Sequence, residues 1–186
     1  MKITKIFNAK IVLLLILAAF LLALLANFLI TCIERIIYPE NYEEYVTEYS
    51  EKYAVPKELI FAVIKVESNF DKDAVSYMGA VGLMQMLPST AKWLAQDHLN
   101  ESPLLVSLYN PQTNIRYGVY YLQYLYAKFG SWEKAIIAYN WGEGNFSQFL
   151  EKEGYTDGEY SSIPVKETRN YVKKVMHHWE KYKELY

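Results

Sequence analysis

Residues 55–70 read VPKELIFAVIKVESNF, and this stretch predicts a helix that carries one residue out of character. Pro56 is tolerated in the first turn of a helix, so the helix is expected to begin there. The residues that recur at the spacing of one helical face are Ile60, Val63, Ile64 and Glu67. Three of these four are aliphatic, which predicts that the face is buried. The carboxyl group of Glu67 is therefore expected among apolar neighbours.

A carboxyl group in such surroundings is suited to acid catalysis. Loss of hydration disfavours the ionised form and raises the pKa, so the group keeps its proton near neutral pH. Lysozyme uses a glutamate in an apolar pocket in this way on a glycosidic bond. The competing interpretation places Glu67 at the wet end of its helix, paired with Lys65 or Lys72. The pattern alone leaves both interpretations open.

Several further stretches bear on this choice. Residues 67–70 (ESNF) and 79–91 (GAVGLMQMLPSTA) resemble the catalytic stretch of the soluble lytic transglycosylase family, which has a lysozyme-like fold. Three more stretches match that family in the same order, and they are 114–122 (NIRYG and YL), 138–145 (AYNWGEGN) and 167–172 (ETRNYV). Together the matches cover nearly all of residues 55–175. Four ordered blocks are a far more specific signal than one GLMQ-like motif.

The resemblance implies a set of site residues. It implies that Glu67 is the catalytic residue, and the residues that it implies for the surrounding sugar site are Ser76, Gln85, Tyr139 and Glu167. Asn140, which lies next to Tyr139, is expected to hold the helix end or the wall of the cleft. Gly79 and Gly82 permit a tight turn beside the helix of Glu67, which is expected to bring the Gln85 amide into the same cleft.

Structural interpretations of the same residues stay open. Gln85 can instead bond the backbone of its loop, and Tyr139 can be a core aromatic residue. Glu167 can be a favourable negative charge at the start of the last helix. The sequence also departs from the common family pattern, at Leu87, Trp141 and Glu143, which puts the preference of the sugar subsites in question.

The resemblance also implies a reaction. A lytic transglycosylase cleaves the β-1,4 bond between N-acetylmuramic acid and N-acetylglucosamine and leaves a 1,6-anhydromuramic end, here with Glu67 as acid and then base. Asp71 and Asp73 are expected in a solvated loop, which favours substrate assistance over the scheme with two carboxylates. Two alternatives remain: a lysozyme-type hydrolase that uses water, and a catalytically idle glycan-binding module.

The N-terminal region is a candidate membrane anchor. Residues 11–33, IVLLLILAAFLLALLANFLITCI, carry no charge and are long enough to span a bilayer as a helix. Lysines precede this run and acidic residues follow it, so the N-terminus is expected in the cytoplasm and the remainder outside a single-pass cell-membrane protein. A cleaved signal peptide is the alternative, but its apolar region is usually ~7–15 residues. A lipoprotein interpretation of Cys32 is disfavoured by Thr31 before it.

The rest of the chain shows helical periodicity. Helices are predicted from Pro88 through Leu94, from Ile115 to Phe129, after Ser131 to a stop at residues 142–145, and from Lys166 to Lys183. Gly130 is a predicted C-cap, and loops are expected between Pro103 and Pro111 and over residues 157–164. With the resemblance, the predicted fold is mainly α: a membrane anchor over 1–37, a lead-in over 38–54 and a lysozyme-like catalytic domain over 55–186.

Composition excludes several other classes. The 186 residues carry a net charge of −2, which argues against a strongly basic nucleic-acid-binding protein. The single Cys32 allows no disulfide within the chain and no cysteine-based metal cluster. His98, His177 and His178 lack the spacing of a metal pair. Neither a metal nor a cofactor is expected. The implied partners are peptidoglycan glycan strands and, through residues 11–33, the cytoplasmic membrane.

Overall fold

The structure is a computed structural model that describes residues 2–102 and 107–186. The chain divides into two compact units, one over residues 1–39 with Leu185 and the other over residues 40–184 with Tyr186. The predicted loop between Pro103 and Pro111 falls partly outside the described residues.

The first unit is one long helix, α1 (Lys2–Ile37). From Leu13 to Ile30 its described side chains are exposed, although almost all of them are apolar. Residues Asn8–Ile37 have a mean hydropathy of 2.9 and are long and apolar enough to cross a membrane, by length and composition. The helix predicted over residues 11–33 is therefore confirmed, and it extends beyond that run at both ends.

The second unit is built from seven helices in the part of the chain that the structure describes. They are α2 (Glu43–Tyr53), α3 (Lys57–Ser68), α4 (Pro88–Trp93), α5 (Pro111–Phe129), α6 (Trp132–Trp141), α7 (Glu143–Lys152) and α8 (Lys166–Leu185). A π-helical turn, Leu94–His98, continues α4, and a 3-10 turn, Tyr160–Ser162, precedes α8. Helix α5 packs against α2 and α6, while α3 packs against α2. The mainly α fold is confirmed.

Local capping follows the sequence closely. Helix α3 begins after Pro56, as the proline predicts. Gly130 ends α5 with φ 76°, a left-handed conformation that glycine adopts without a steric penalty. Ser131 caps α6 by accepting a hydrogen bond from the Lys134 amide at 3.1 Å. Both predicted caps are confirmed.

Helix α2 lies in the stretch that the sequence suggests as a lead-in. Its sequence is polar overall, yet Val46 and Tyr49 are buried one turn apart. Tyr53, at the end of the helix, packs edge-on against Tyr120 of α5 with ring centroids 5.2 Å apart. The second compact unit consequently begins at Glu40, before this helix.

Helix α7 lies where the sequence predicts only a stop. Gly142, with φ 92°, ends α6, but Glu143 begins a new helix at once. The new helix is stabilised by burial of Phe146 and Phe149, two aromatic residues at the spacing of one helical face. The prediction of a stop is thus correct for α6, and the continuation as α7 was missed.

Candidate active site

Glu67 lies in the last turn of α3, at a helix end that is firmly held. The hydroxyl of Ser68 donates to the backbone oxygen of Leu83 at 2.8 Å and lies 3.2 Å from the backbone oxygen of Ile64. Asn69 closes the helix in a left-handed conformation, with φ 49°. These contacts join the end of α3 to the loop that follows it, so the position of the Glu67 carboxyl is well defined.

The protonation of Glu67 is controlled by burial and by one tyrosine. Burial raises the pKa of the Glu67 carboxyl to about 7, while a hydrogen bond from the Tyr171 hydroxyl lowers this pKa. That bond is 2.6 Å long and ends on Oε1 of Glu67. The two lysines considered as partners bond elsewhere, Lys65 to Asn69 at 3.1 Å and Lys72 to Asp73 at 2.9 Å. The expectation of a desolvated carboxyl is therefore met.

Glu67 opens onto a cavity of about 410 Å³, called here the Glu67 cavity. The structure brings all six residues of the predicted site to its walls, and they are Glu67, Ser76, Gln85, Tyr139, Asn140 and Glu167. The residues that also line it include Met78, Leu87, Thr90, Tyr121 and Trp141. Of the three departures from the family pattern, Leu87 and Trp141 thus face this cavity directly.

Asn114 holds the loop that carries Ser76 and Gln85 through side-chain hydrogen bonds. The buried Asn114 side chain accepts from the Met84 amide and donates to the backbone oxygens of Val81 and Leu108, each at 2.8 Å. Gly82 packs so closely on Asn114 that a Cβ there would collide with the amide group. Each of these buried polar groups has a partner, which stabilises the loop in this conformation.

Gln85 has a left-handed backbone, with φ 47°. Its side-chain nitrogen donates to the backbone oxygens of Ala74 at 3.1 Å and Gly82 at 2.9 Å. The structural interpretation of Gln85 is therefore correct for the nitrogen, whose two hydrogens are both used within the loop. The amide oxygen is the group that Gln85 has left for a ligand.

Tyr139 uses its hydroxyl proton within the protein. The hydroxyl donates to the backbone oxygen of Met84 at 2.7 Å and lies 3.2 Å from the Met86 sulfur. Burial raises the pKa of Tyr139 well above its ordinary value, and the nearby charge of Glu67 acts in the same direction. Tyr139 is thus a neutral phenol whose oxygen can accept a hydrogen bond from a neighbour.

Helix α8 contributes two residues to the site. Glu167 is exposed in the first turn, where its charge also suits the positive end of the helix dipole. Tyr171 follows one turn later and is buried against Glu67. Sequence analysis placed Tyr171 in a family block and on an amphipathic helix but not in the site. The signal in the sequence was that Tyr171 lies four residues after Glu167, a spacing that makes the two residues neighbours on one face of the helix.

Several charged and aromatic groups lie outside the Glu67 cavity. Asp71 and Asp73 are exposed, as expected, and Asp73 pairs with Lys72. His98 packs against the ring of Trp93 with centroids 4.4 Å apart. Across residues 2–102 and 107–186, no three His, Cys, Asp or Glu side chains form a group that could hold a metal ion.

Comparisons with known proteins identify the family of the chain. The Transglycosylase SLT domain family matches residues 44–161. The soluble lytic murein transglycosylase of Salmonella typhimurium is 34% identical over 148 residues, which cover 75% of this chain and 22% of that protein. Membrane-bound lytic murein transglycosylase C of Actinobacillus pleuropneumoniae is 33% identical over 166 residues, covering 76% of this chain and 46% of the relative.

Solved structures give the same result. The 70 kDa soluble lytic transglycosylase of Escherichia coli superposes with a TM-score of 0.72 at 31% identity, covering 81% of this chain and 25% of that one. A complex of the 70-kDa soluble lytic transglycosylase with bulgecin A gives a TM-score of 0.74 at 32% identity, with the same coverage. The chain thus spans between a fifth and a half of the length of these relatives. The chain belongs to the Transglycosylase SLT domain family.

Proposed function

We propose that this chain is a lytic transglycosylase that cleaves peptidoglycan glycan strands, with Glu67 as its single acid and base. The observation that carries the proposal is a glutamate whose pKa burial raises to about 7, facing a cavity beside polar side chains. A general acid is most effective when its pKa lies near the working pH. The names of the relatives, which are lytic murein transglycosylases, support the same substrate.

The proposed reaction breaks the bond between N-acetylmuramic acid and N-acetylglucosamine. Neutral Glu67 gives its proton to the glycosidic oxygen, which leaves with the bonding electrons. The N-acetyl group of the muramic residue stabilises the positive anomeric carbon. Ionised Glu67 then takes the proton of the 6-hydroxyl of the same sugar, whose oxygen closes onto the anomeric carbon. The product is a 1,6-anhydro end, and no water is consumed.

The contact with Tyr171 assigns different roles to the two oxygens of Glu67. Oε1 accepts the hydrogen bond of Tyr171, so Oε2 is the oxygen that carries the reactive proton. The same hydrogen bond stabilises the carboxylate that forms after the proton has left. Tyr171 is thus a positioning residue that acts through Glu67.

Two rival functions share this site, and the position of Glu67 bears on the second of them. A lysozyme-type hydrolase would use the same acid but admit water to the anomeric carbon. A glycan-binding module has no need of a desolvated acid, whose burial costs stability. The position of Glu67 in the cavity therefore favours an enzyme over a binding module.

The test is the mass of the products. The full chain, purified in detergent, is incubated with purified cell wall beside Glu67→Gln and the exposed control Asp71→Asn. We expect anhydro ends from the native chain and from Asp71→Asn, and none from Glu67→Gln. Products heavier by one water would show a hydrolase, and equal activity of Glu67→Gln would remove Glu67 from its role.

The proposal extends to location. Helix α1 anchors the protein in the cell membrane, with the N-terminus in the cytoplasm and the unit from Glu40 onward outside, beside the peptidoglycan. The apolar run Asn8–Ile37 and a relative named as membrane-bound support the anchor, and the preceding lysines support its orientation. Protease added to intact spheroplasts should digest the second unit, whereas protection of that unit would reverse the orientation.

A further inference from the structure

The outward face of helix α8 is basic, in a unit that is acidic overall. Acidic residues outnumber basic ones over residues 40–184. The buried face of α8 includes Tyr171, Val175 and Trp179. The residues on the opposite side recur every three or four positions and are all exposed, and they are Lys166, Asn170, Lys173, Lys174 and His177. This set is called here the α8 basic face.

The three lysines of the α8 basic face have no carboxylate partner. In the part of the chain that the structure describes, none of Lys166, Lys173 and Lys174 forms an ion pair. Lys173 lies over the ring of Tyr160, 5.7 Å from its centroid. Most other lysines of the unit are paired, as Lys57 is with Glu40 at 3.2 Å. The charge of the α8 basic face is therefore not neutralised within the protein.

The acidic residues of α8 do not offset this charge. Glu167 lies at the edge of the face and lines the Glu67 cavity. Glu180 and Glu184 follow the face along the helix, and each accepts an ion pair at 2.8 Å, from Lys183 and Lys181 respectively. From Lys166 to His177 the outward side of α8 thus has an excess of positive charge.

His178 lies beside the α8 basic face and responds to its charge. Burial lowers the pKa of His178 to about 4, and the charges of His177, Lys65 and Lys174 act in the same direction. Cationic neighbours have this effect because they disfavour a protonated imidazole. Lys65 belongs to α3, so a second helix adds positive charge next to this face.

The proposed anchor holds the second unit close to a bilayer. Helix α1 ends at Ile37 and the second unit begins at Glu40, so two residues lie between them. Two extended residues span at most ~7 Å, which keeps the unit within reach of the lipid headgroups. A surface of anionic headgroups repels acidic parts of a protein and attracts a face with an excess of lysine.

We infer that the α8 basic face binds the phosphate groups of anionic lipids at the outer surface of the membrane that α1 crosses. The inference rests on the membrane location in the proposed function and goes beyond the proposed reaction. Charge complementarity carries it, because three exposed ammonium groups without counter-charges meet phosphates that attract cations. The contact holds the second unit in one orientation on the bilayer.

The test measures how close the face comes to the headgroups. The full chain carrying Cys32→Ser and Asn170→Cys is labelled with a fluorophore at position 170, between the lysines. It is reconstituted into vesicles that contain a lipid with a quencher on its headgroup. One set of vesicles is phosphatidylcholine, and the other contains about one third phosphatidylglycerol, so that the lysines meet either a neutral or an anionic surface.

Two charge variants accompany the labelled chain. The face variant is Lys166→Gln/Lys173→Gln/Lys174→Gln. The matched control is Lys52→Gln/Lys92→Gln/Lys152→Gln, which removes the same charge from exposed lysines on α2, α4 and α7.

We expect quenching about three- to tenfold stronger with phosphatidylglycerol than without it, because each lysine near an anionic surface adds attraction. Salt at 1 M shortens the screening length to ~3 Å and should remove the increase. The face variant should show no increase, and the control should keep it. No response to phosphatidylglycerol, or an increase that survives in the face variant, would overturn the inference. Loss of the increase in the control would do the same, since net charge alone would then explain the binding.

Inorganic polyphosphate separates lipid from a soluble phosphate polymer. Added to the phosphatidylglycerol vesicles, it should compete for the lysines and reduce the quenching. Binding of polyphosphate by a chain that does not respond to phosphatidylglycerol would assign the face to a soluble polymer and overturn the inference.

Failure of the proposed function gives different results. Flotation of the native chain with phosphatidylcholine vesicles at 1 M salt reports on α1 alone, and loss of flotation overturns the anchor and the inference together. Cleavage of purified wall in detergent should be equal in the native chain, the face variant and the control, because none of these lysines except Lys152 lines a described cavity and Lys152 does not line the Glu67 cavity. Absence of cleavage in all three overturns the proposed reaction, while the lipid contact stands.

Discussion

Tyr171 donates a 2.6 Å hydrogen bond to Glu67 across 104 positions of the sequence. The contact joins the last helix of the second unit to the end of α3. The same two helices meet again where Phe61 stacks on Tyr182, with ring centroids 5.4 Å apart. Contact of α8 with α3 therefore acts on the protonation of the candidate acid, because it delivers the hydrogen bond from Tyr171.

Tyr171→Phe should raise the pKa of Glu67 further. The lost hydrogen bond favours the ionised carboxylate, so its removal leaves burial unopposed. Activity that needs protonated Glu67 falls as pH rises through its pKa, and this limb should move up by roughly one unit, the size of a charge-assisted hydrogen bond. The measurement is the pH profile of kcat/KM for the full chain on purified wall.

Tyr126→Phe is the control for that shift. Tyr126 is exposed on α5, stacks on Trp132 and does not line the Glu67 cavity. Removal of the Tyr126 hydroxyl should leave the pH profile of kcat/KM unchanged. A Tyr171→Phe profile that coincides with that of the native chain would show that the hydrogen bond does not tune the acid.

The raised pKa of Glu67 should also make stability depend on pH. The pKa is about 7 in the folded chain and near 4.5 when exposed, so the folded state holds the extra proton between these values. The free energy of unfolding should consequently fall as pH rises from about 4.5 to 7 and then level off, by up to ~3 kcal/mol. Glu67→Gln removes this fall and should be the more stable protein at pH 8.

Urea unfolding of the full chain in detergent at pH 5 and pH 8 measures this difference. Glu51→Gln, at an exposed glutamate of α2, is the matched control and should follow the native chain at both values. Equal pH dependence in the native chain and Glu67→Gln would mean that the Glu67 carboxyl is solvated in the folded state.

Asn114→Ala should destabilise the loop that carries Ser76 and Gln85. The change leaves the Met84 amide and the Leu108 backbone oxygen without their partner, whereas the Val81 oxygen keeps the Met86 amide at 3.0 Å. We expect a loss of roughly 2–6 kcal/mol, because each of the two orphaned groups costs about 1–3 kcal/mol. The rate of hydrogen exchange at the Met84 amide should rise by more than the loss of global stability accounts for. An exchange rate that follows only global unfolding would show that the loop is held by other contacts.

The sequence predicted the features that depend on local spacing and capping rules. It also singled out Glu67 as a charged residue on an apolar helical face. Helix α3, the caps at Gly130 and Ser131 and the position of Glu67 on an apolar face all follow from spacing and capping. The family blocks supplied the remaining cavity residues. The predictions of helix α3 and of the two caps are confirmed because each rests on residues close together in the chain.

The features that were missed depend on distant contacts. Helix α2 is polar on average, and only the burial of Val46 and Tyr49 against other helices gives it a place in the compact unit. Helix α7 was missed because the glycines in residues 142–145 predict a stop. That stop ends α6, but it does not prevent a new helix from beginning at Glu143. The bond from Tyr171 to Glu67 needs α8 folded back on α3, which periodicity cannot show.

Glu133→Gln should loosen the segment between α7 and α8. The buried carboxylate accepts from two tyrosine hydroxyls and one amide, and an amide group in its place puts an NH2 against a donor. We expect a loss of about 2 kcal/mol, within the range for a buried charged acceptor. Glu159→Gln, an exposed change in the same segment, should leave stability unaltered.

The location of Glu133 makes limited proteolysis a direct readout. Residues 153–165 connect α7 to α8, whose first two turns hold Glu167 and Tyr171. Loss of the Glu133 anchor should expose this segment to a protease with Glu or Tyr specificity before the helices are cut. The end of this segment sets where α8 begins, and so it sets the positions of Glu167 and Tyr171. Cleavage of glycan strands should therefore fall as well. Unchanged proteolysis of residues 153–165 would show that the packing of Phe146 and Phe149 is enough to hold the segment in place.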